Sequence, residues 1–175
     1  MVDLKEFEQK AADLRVLGMK ISIGQDTVYE KYWDEDCRRN IYSASKSFTS
    51  CAVGFAVQEG LIDLDERLMD AFKEDIPNNP DENLKKATVK DLLTMTLGQE
   101  KGFLMGKQRP RMEEQNWVKA SLAIPFVYEP GTHFVYNNVG PYLAGILVQR
   151  RAGCDLLSYL TPRLLKPLGI RKTIW

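Results

Sequence analysis

The sequence predicts an α+β protein that is mostly helical and has one β-hairpin near its N-terminus. Two short segments rich in β-branched and aromatic residues, 19–24 and 27–33, are typical of paired strands joined at Gln25-Asp26. After residue 43, almost every stretch instead shows the apolar spacing of helices. Hydrophobic residues make up 44% of the 175 residues and charged ones 27%, which is a globular composition.

Helices are predicted wherever apolar residues recur at helical spacing. In residues 43–58, apolar side chains surround the predicted helix axis. This predicts a helix packed inside the molecule, with Gly60 just past its end. Thr88 and Asp91 predict a reciprocal N-terminal cap on another helix, which Gly98 would end. Residues 99–112 hold two glycines, a proline and several cations, which predicts a mobile loop. The predicted helical segments are 3–14, 43–58, 88–98, 116–124, 140–153 and 156–169.

Charge and cysteine content argue against several functional classes. The chain has 24 basic and 24 acidic residues, so its net charge does not indicate nucleic acid or an anionic membrane as a partner. The three cysteines, Cys37, Cys51 and Cys154, lack the spacing of metal ligands or of a disulfide framework. We therefore predict no metal and no cofactor, and we expect Cys51 and Cys154 to be small core residues.

The apolar runs are too short to span a bilayer, so no membrane span is predicted. The first residues alternate charged and apolar side chains and have no apolar core typical of a secretory signal. The expected location of the chain as it stands is the cytoplasm. A periplasmic or extracellular location stays open, because a mature secreted fragment would have the same sequence.

The tetrapeptide Ser43-Ala44-Ser45-Lys46 is the first pattern with chemical meaning. Residues three apart on a helix share a face, so the Ser43 hydroxyl and the Lys46 amine can touch. A helix N-terminus favours negative charge at Ser43, and burial of the following helix favours the neutral, basic form of Lys46. These are the requirements of an activated serine nucleophile. A serine that opens a helix is also a common cap, so both interpretations fit this stretch alone.

A second pattern, Tyr136-Asn137-Asn138, lies between a turn and a predicted buried helix. Tyr136 and Asn138, two apart in a loop, can point into one cleft. There a phenol can exchange protons and an amide can orient a substrate or the lysine. A loop tyrosine is also often a packed amphipathic side chain. The single histidine, His133, and the lack of a GxSxG sequence argue against a Ser-His-Asp triad.

Together these motifs resemble those of the serine β-lactamase and penicillin-recognising superfamily, most closely its class C β-lactamase-like esterases and peptidases. That family has Ser-x-x-Lys opening a buried helix and Tyr-x-Asn roughly ninety to a hundred residues later, a separation that Ser43 and Tyr136 match. Met95 and Leu97 stand where the family often has histidine and serine, which bears on the substrate more than on the chemistry. The segments that extend the resemblance are SASKSFTS with EGLIDLDERL, ATVKDLLTMTLG, EPGTHFVYNNVGPYLAG and LLKPLGIRKTIW.

The resemblance implies a β-lactamase/transpeptidase-like fold, a three-layer α/β sandwich with a helical lobe. Residues 1–60 would supply the first part of the sandwich and the nucleophile helix. Residues 61–160 would form the helical lobe, and residues 161–175 would return toward a C-terminal sheet.

The resemblance also implies a serine hydrolase that acts on a small-molecule or peptide substrate through an acyl-enzyme. Ser43 would attack an ester, amide or lactam carbonyl, while Lys46 and Tyr136 move protons. Asn138 would orient the substrate. The choice among a lactam, a D-amino-acid peptide and an ester stays open.

The family's third motif, Lys-Thr-Gly or His-x-Gly, has no counterpart in the sequence. Lys172-Thr173-Ile174 lacks the glycine and follows Tyr136 too soon. A lone hairpin is marginal in water, and a helix apolar on all sides needs a sheet to pack against. The sequence therefore predicts the N-terminal half of a longer protein, truncated or paired with a second chain that supplies the rest. The alternative function is that of a non-catalytic fragment or binding module, and we expect the isolated chain to be inactive.

Overall fold

The computed structural model describes residues 4–11, 13–35, 37–106 and 108–170. The chain divides into two compact units, residues 1–41 and 42–175. The domain limits at residues 60 and 160 stay a prediction. The stretch Lys172-Thr173-Ile174 lies outside the described residues.

The N-terminal unit contains one short helix and the predicted hairpin. Its strands are antiparallel, with Gly18 opposite Tyr32 and a bulge between Ile21 and Ser22. Gly24 has a φ of 62°, a left-handed conformation that a tight hairpin turn favours and that glycine adopts without strain. The predicted hairpin is therefore confirmed. The elements are α1 (Lys5–Ala11), β1 (Gly18–Ile23) and β2 (Asp26–Tyr32).

The C-terminal unit is helical over its described residues. Its α-helices are α2 (Ser45–Gln58), α3 (Leu68–Ala71), α4 (Glu82–Lys86), α5 (Val89–Thr94), α6 (Trp117–Leu122), α7 (Val139–Ala152) and α8 (Leu156–Leu160). Turns of 3₁₀-helix cover Tyr42–Ala44, Lys73–Asp75 and Arg109–Arg111, and a π-helical turn covers Thr161–Leu165. No described helix has both the length and the apolar character needed to cross a membrane.

The two longest helices, α2 and α7, form the centre of this unit and pack against each other. Helix α2 also contacts α8, and α7 also contacts α5. The face that α2 buries consists of Thr49, Ala52, Val53 and Ala56. Small residues let the two axes approach: a Cβ at Gly145 of α7 would stand 3.7 Å from the Thr49 side chain.

Three expectations about α2 and the cysteines are wrong. Ser43 does not open the α-helix, which begins at Ser45 after a 3₁₀ turn. Cys51 and Cys154 are exposed and are not core residues. Helix α2 is packed against α7 and α8 along one face, so the small residues of its opposite face, such as Gly54, meet solvent. Cys154 follows Gly153, the left-handed residue that ends α7 on the surface.

Helix α5 confirms the predicted start and corrects the predicted end. The Asp91 carboxylate accepts a hydrogen bond from the backbone N–H of Thr88 at 2.9 Å, as the capping pattern predicts. The helix ends at Met95, whose φ of 57° is left-handed, and not at Gly98. Part of the predicted mobile loop is packed into the unit, since Gln99 is fully buried and Leu104 is only 2% exposed.

Candidate active site

Two chain segments meet at the candidate site. Ser43 lies in the 3₁₀ turn before α2 and Lys46 in the first turn of α2, while Tyr136 and Asn138 directly precede α7. Because α2 and α7 pack together, their N-terminal ends bring these side chains into one cluster. The 3₁₀ turn is held locally by the Ser45 hydroxyl, which donates to the Tyr42 carbonyl at 2.7 Å.

The Ser43 hydroxyl has hydrogen-bond partners from both segments. Lys46 Nζ donates to Ser43 Oγ at 3.0 Å, as residues three apart on a helix can. The Tyr136 hydroxyl donates to the same oxygen at 2.7 Å from the other segment. Ser43 is exposed and Lys46 half-buried, so the cluster is open to a substrate on the serine side.

Asn138 holds Lys46 from the far side. Lys46 Nζ donates to Asn138 Oδ1 at 2.8 Å. Asn138 Nδ2 donates to the Leu104 carbonyl at 2.9 Å and lies 3.5 Å from Met105 Sδ. The backbone N–H of Asn138 donates to the Phe103 carbonyl at 3.2 Å. Segment 103–105, from within the predicted loop, is therefore part of the site.

The environment of Tyr136 makes its phenol easier to ionise than that of a free tyrosine. The hydrogen bond with Ser43, followed by the nearby Lys46 ammonium, lowers the pKa of Tyr136 below its ordinary value of 10.0. Lys46 Nζ also lies 5.2 Å from the centre of the Tyr136 ring. When Tyr136 is ionised, its oxygen, 2.7 Å from Ser43 Oγ, can accept the Ser43 proton, and Lys46 Nζ lies beside the charge that forms. This is the geometry of an activated nucleophile.

All four predicted site residues come together, and the predicted contact between Ser43 and Lys46 is confirmed. Their catalytic and binding roles stay predictions. The single histidine, His133, is engaged elsewhere: its ring stacks on Tyr128 with centroids 4.2 Å apart.

Sequence reasoning missed several residues that support the site. A Cβ at Gly102 would stand 2.8 Å from the Tyr136 carbonyl, so glycine lets the loop approach the Tyr136 backbone. Asn137 is 1% exposed, and its Oδ1 accepts from the Gly140 N–H at 3.1 Å, which gives a partner to one N–H in the first turn of α7. The only sequence signals were a glycine inside the loop and an asparagine just before a predicted helix.

A comparison with protein-family models identifies the family of the chain. The model described as Beta-lactamase matches residues 5–175. The chain belongs to the β-lactamase family. The resemblance inferred from the motifs is thereby confirmed.

The names of two curated relatives within this family describe acyl transfer and ester hydrolysis. The chain is 31% identical over 157 residues to monacolin J acid methylbutanoyltransferase of Aspergillus terreus, covering 78% of this chain and 37% of that protein. It is also 31% identical over 150 residues to lovastatin esterase of Penicillium rubens, covering 73% of this chain and 37% of that protein. The chain thus spans less than half the length of these relatives.

A solved structure confirms the β-lactamase/transpeptidase-like fold. The octameric penicillin-binding protein homologue from Pyrococcus abyssi superposes with a TM-score of 0.74 at 24% identity. The match covers 98% of this chain and 44% of that one. The mostly helical architecture with a two-stranded antiparallel sheet is therefore part of this larger fold.

Proposed function

We propose that this member of the β-lactamase family performs acyl transfer through Ser43. The observation that supports the proposal is the pair of hydrogen bonds that Ser43 Oγ receives from Tyr136 and Lys46, at 2.7 Å and 3.0 Å. A phenol that can accept a proton once it ionises and the Lys46 amine both reach this one exposed oxygen. A helix cap would need only a contact with backbone N–H groups.

In the first step, Ser43 Oγ bonds to the substrate carbonyl carbon while its proton passes to the Tyr136 phenolate. Lys46 stabilises the phenolate and relays the proton to the leaving group. The carbonyl–leaving-group bond breaks, and an alcohol or amine departs. In the second step, water or an acceptor alcohol attacks the acyl-enzyme and gives its proton to the same base. The acid or a new ester is released, and Ser43 is restored.

Asn138 is proposed to fix Lys46 and to border the bound acyl group, which is its predicted substrate-orienting role. Esters are the favoured substrates, because the two relatives are named as an acyltransferase and an esterase. Amides and lactams are the other carbonyl classes open to the same attack. The proposal that a second chain completes the site rests on the sequence motifs alone.

Covalent labelling of the complete gene product tests the proposal. A fluorophosphonate probe should attach to wild-type protein, with the adduct located on Ser43 by peptide mass spectrometry. Ser43→Ala should abolish the adduct. Ser47→Ala, which removes an exposed serine from the first turn of α2, should leave it intact. Equal labelling of Ser43→Ala and wild type would refute the nucleophile assignment and favour the non-catalytic alternative.

A further inference from the structure

We infer that a turn formed by residues 102–106 and closed by the Gln108 side chain selects the acyl group of the substrate. It favours simple aliphatic acyl esters over acyl groups that carry an amide carbonyl next to the reacting carbonyl. The inference rests on the proposed acyl transfer through Ser43 and adds a specificity-determining element to it.

The orientation of the Asn138 amide is fixed by its partners. Lys46 Nζ donates to Asn138 Oδ1 at 2.8 Å. The Leu104 carbonyl can only accept, so it must face Asn138 Nδ2, at 2.9 Å. The second Nδ2 hydrogen has Met105 Sδ at 3.5 Å as a weak acceptor. Both polar atoms of the Asn138 side chain therefore already have hydrogen-bond partners within the protein.

The Leu104 carbonyl is held in place by the turn. Leu104 has a φ of 55°, a left-handed conformation that costs a leucine about 1–2 kcal/mol. Two features maintain it. The Leu104 side chain is 2% exposed. The Gln108 side chain closes the turn: its Oε1 accepts from the Met105 N–H at 2.9 Å and its Nε2 donates to the Gly102 carbonyl at 3.4 Å.

The groups that border Asn138 on this side offer little to a polar acyl group. Met105 is 36% exposed and presents a thioether, while Tyr136 is 44% exposed. An aliphatic acyl chain can pack against both. An amide carbonyl there would need Asn138 Nδ2 as a donor and would have to displace the Leu104 carbonyl.

Matched esters test this selectivity in the complete gene product. The p-nitrophenyl esters of butyric acid and of N-acetylglycine share a leaving group and differ in the acyl-side amide. Their rates of acylation are followed by p-nitrophenolate release and normalised to the hydroxide-catalysed rates. We expect wild type to prefer the butyryl ester by about tenfold, the effect of one unpaired amide group.

Substitution at Gln108 should change this ratio. Gln108→Ala removes the closing bonds and should raise the relative rate of the N-acetylglycyl ester about three- to tenfold. Gln108→Glu keeps an acceptor for the Met105 N–H and should retain the wild-type preference. Gln115→Ala, at an exposed glutamine outside the turn and before α6, should leave the ratio unchanged.

A second readout does not depend on turnover. The side-chain amide NMR signal of Asn138, assigned by its loss in Asn138→Ala, should shift in Gln108→Ala and stay in place in Gln108→Glu. Equal normalised rates for the two esters in wild type would overturn the inference. So would an unshifted Asn138 signal in Gln108→Ala. Failure of the fluorophosphonate probe to label Ser43 would instead remove the proposed function itself.

Discussion

Lys46 Nζ lies 2.8 Å from Asn138 Oδ1, although 92 residues separate them in the chain. The contact ties the start of α2 to the start of α7. It also turns the Lys46 amine toward Ser43, whose Oγ it reaches at 3.0 Å. The lysine therefore has two oxygen acceptors, one on each of the two segments that build the site.

Removal of the Asn138 amide should slow attack by Ser43. Asn138→Ala takes away a charge-assisted hydrogen bond to Lys46, an interaction of about 1.5–3 kcal/mol. We expect the second-order rate of fluorophosphonate labelling to fall about ten- to a hundredfold. Asn79→Ala, in an exposed loop, is the control and should label at the wild-type rate. A labelling rate unaffected by Asn138→Ala would mean that Lys46 does not need this partner.

The titration of Tyr136 should reflect its contacts. Because Ser43 and Lys46 lower its pKa, Tyr136 should ionise below the ordinary value of 10.0. The folded state then favours the phenolate more than the unfolded chain does. Its contribution to stability is full above the unfolded pKa and is lost as the pH falls through the folded pKa. Ultraviolet difference titration of wild type against Tyr136→Phe isolates this group. Ser43→Ala and Lys46→Met should each raise the measured pKa, and a midpoint at or above 10.0 in wild type would contradict the expectation.

We expect alanine to destabilise the protein at Gly140 but not at Gly145, although both residues lie on α7. A Cβ at residue 140 would stand 2.2 Å from the Leu92 carbonyl oxygen, which cannot move without disturbing α5. We expect Gly140→Ala to lower the free energy of unfolding by about 2–4 kcal/mol and to slow labelling of Ser43, because α7 carries Asn138 at its start.

Gly145→Ala is the matched control for that change. Its Cβ would meet its nearest neighbours at 3.7 Å, an ordinary contact. Alanine is the better helix former by about 1 kcal/mol, so this variant should be neutral or slightly more stable. Both variants are compared by urea unfolding. Equal stability of the two would show that α5 and α7 can separate without cost.

The ion pair between Asp75 and Arg150 should matter more than exposed pairs do. Asp75 is 5% exposed, and its carboxylate accepts from Arg150 at 2.7 Å and from Asn116 Nδ2 at 3.0 Å. Arg150→Met would leave a buried carboxylate short of its cation, which costs about 1–3 kcal/mol of unfolding free energy.

Lys86→Met is the control for the Arg150 substitution. Lys86 pairs with Glu129 at 3.3 Å, and more than half of each side chain is exposed. Exposed pairs contribute about 0–1 kcal/mol, so the loss should be within about 0.5 kcal/mol. Urea unfolding at two salt concentrations checks both variants. If they lose equal stability, burial of Asp75 has no effect on the strength of its ion pair.

Local patterns carried much of the correct prediction. The hairpin, the Thr88–Asp91 cap and the contact between Ser43 and Lys46 each depend on residues a few positions apart. Their geometry follows from strand and helix periods, which a sequence displays directly. The exposed Cys51 was predicted wrongly because apolar composition cannot tell which face of a helix its neighbours cover.

The sequence by itself determined the family, the hairpin and the pairing of Ser43 with Lys46. The hairpin and the pair depend on residues close together in the chain, and the family is identified by motifs that its members share. Only the tertiary structure decided that the Tyr136 hydroxyl reaches Ser43 and that the Leu104 carbonyl orients Asn138. Those contacts join segments 93 and 34 residues apart. They exist because α2 and α7 pack through small residues and because the turn closed by the Gln108 side chain accepts a left-handed leucine. Neither condition leaves a periodic signal in the chain.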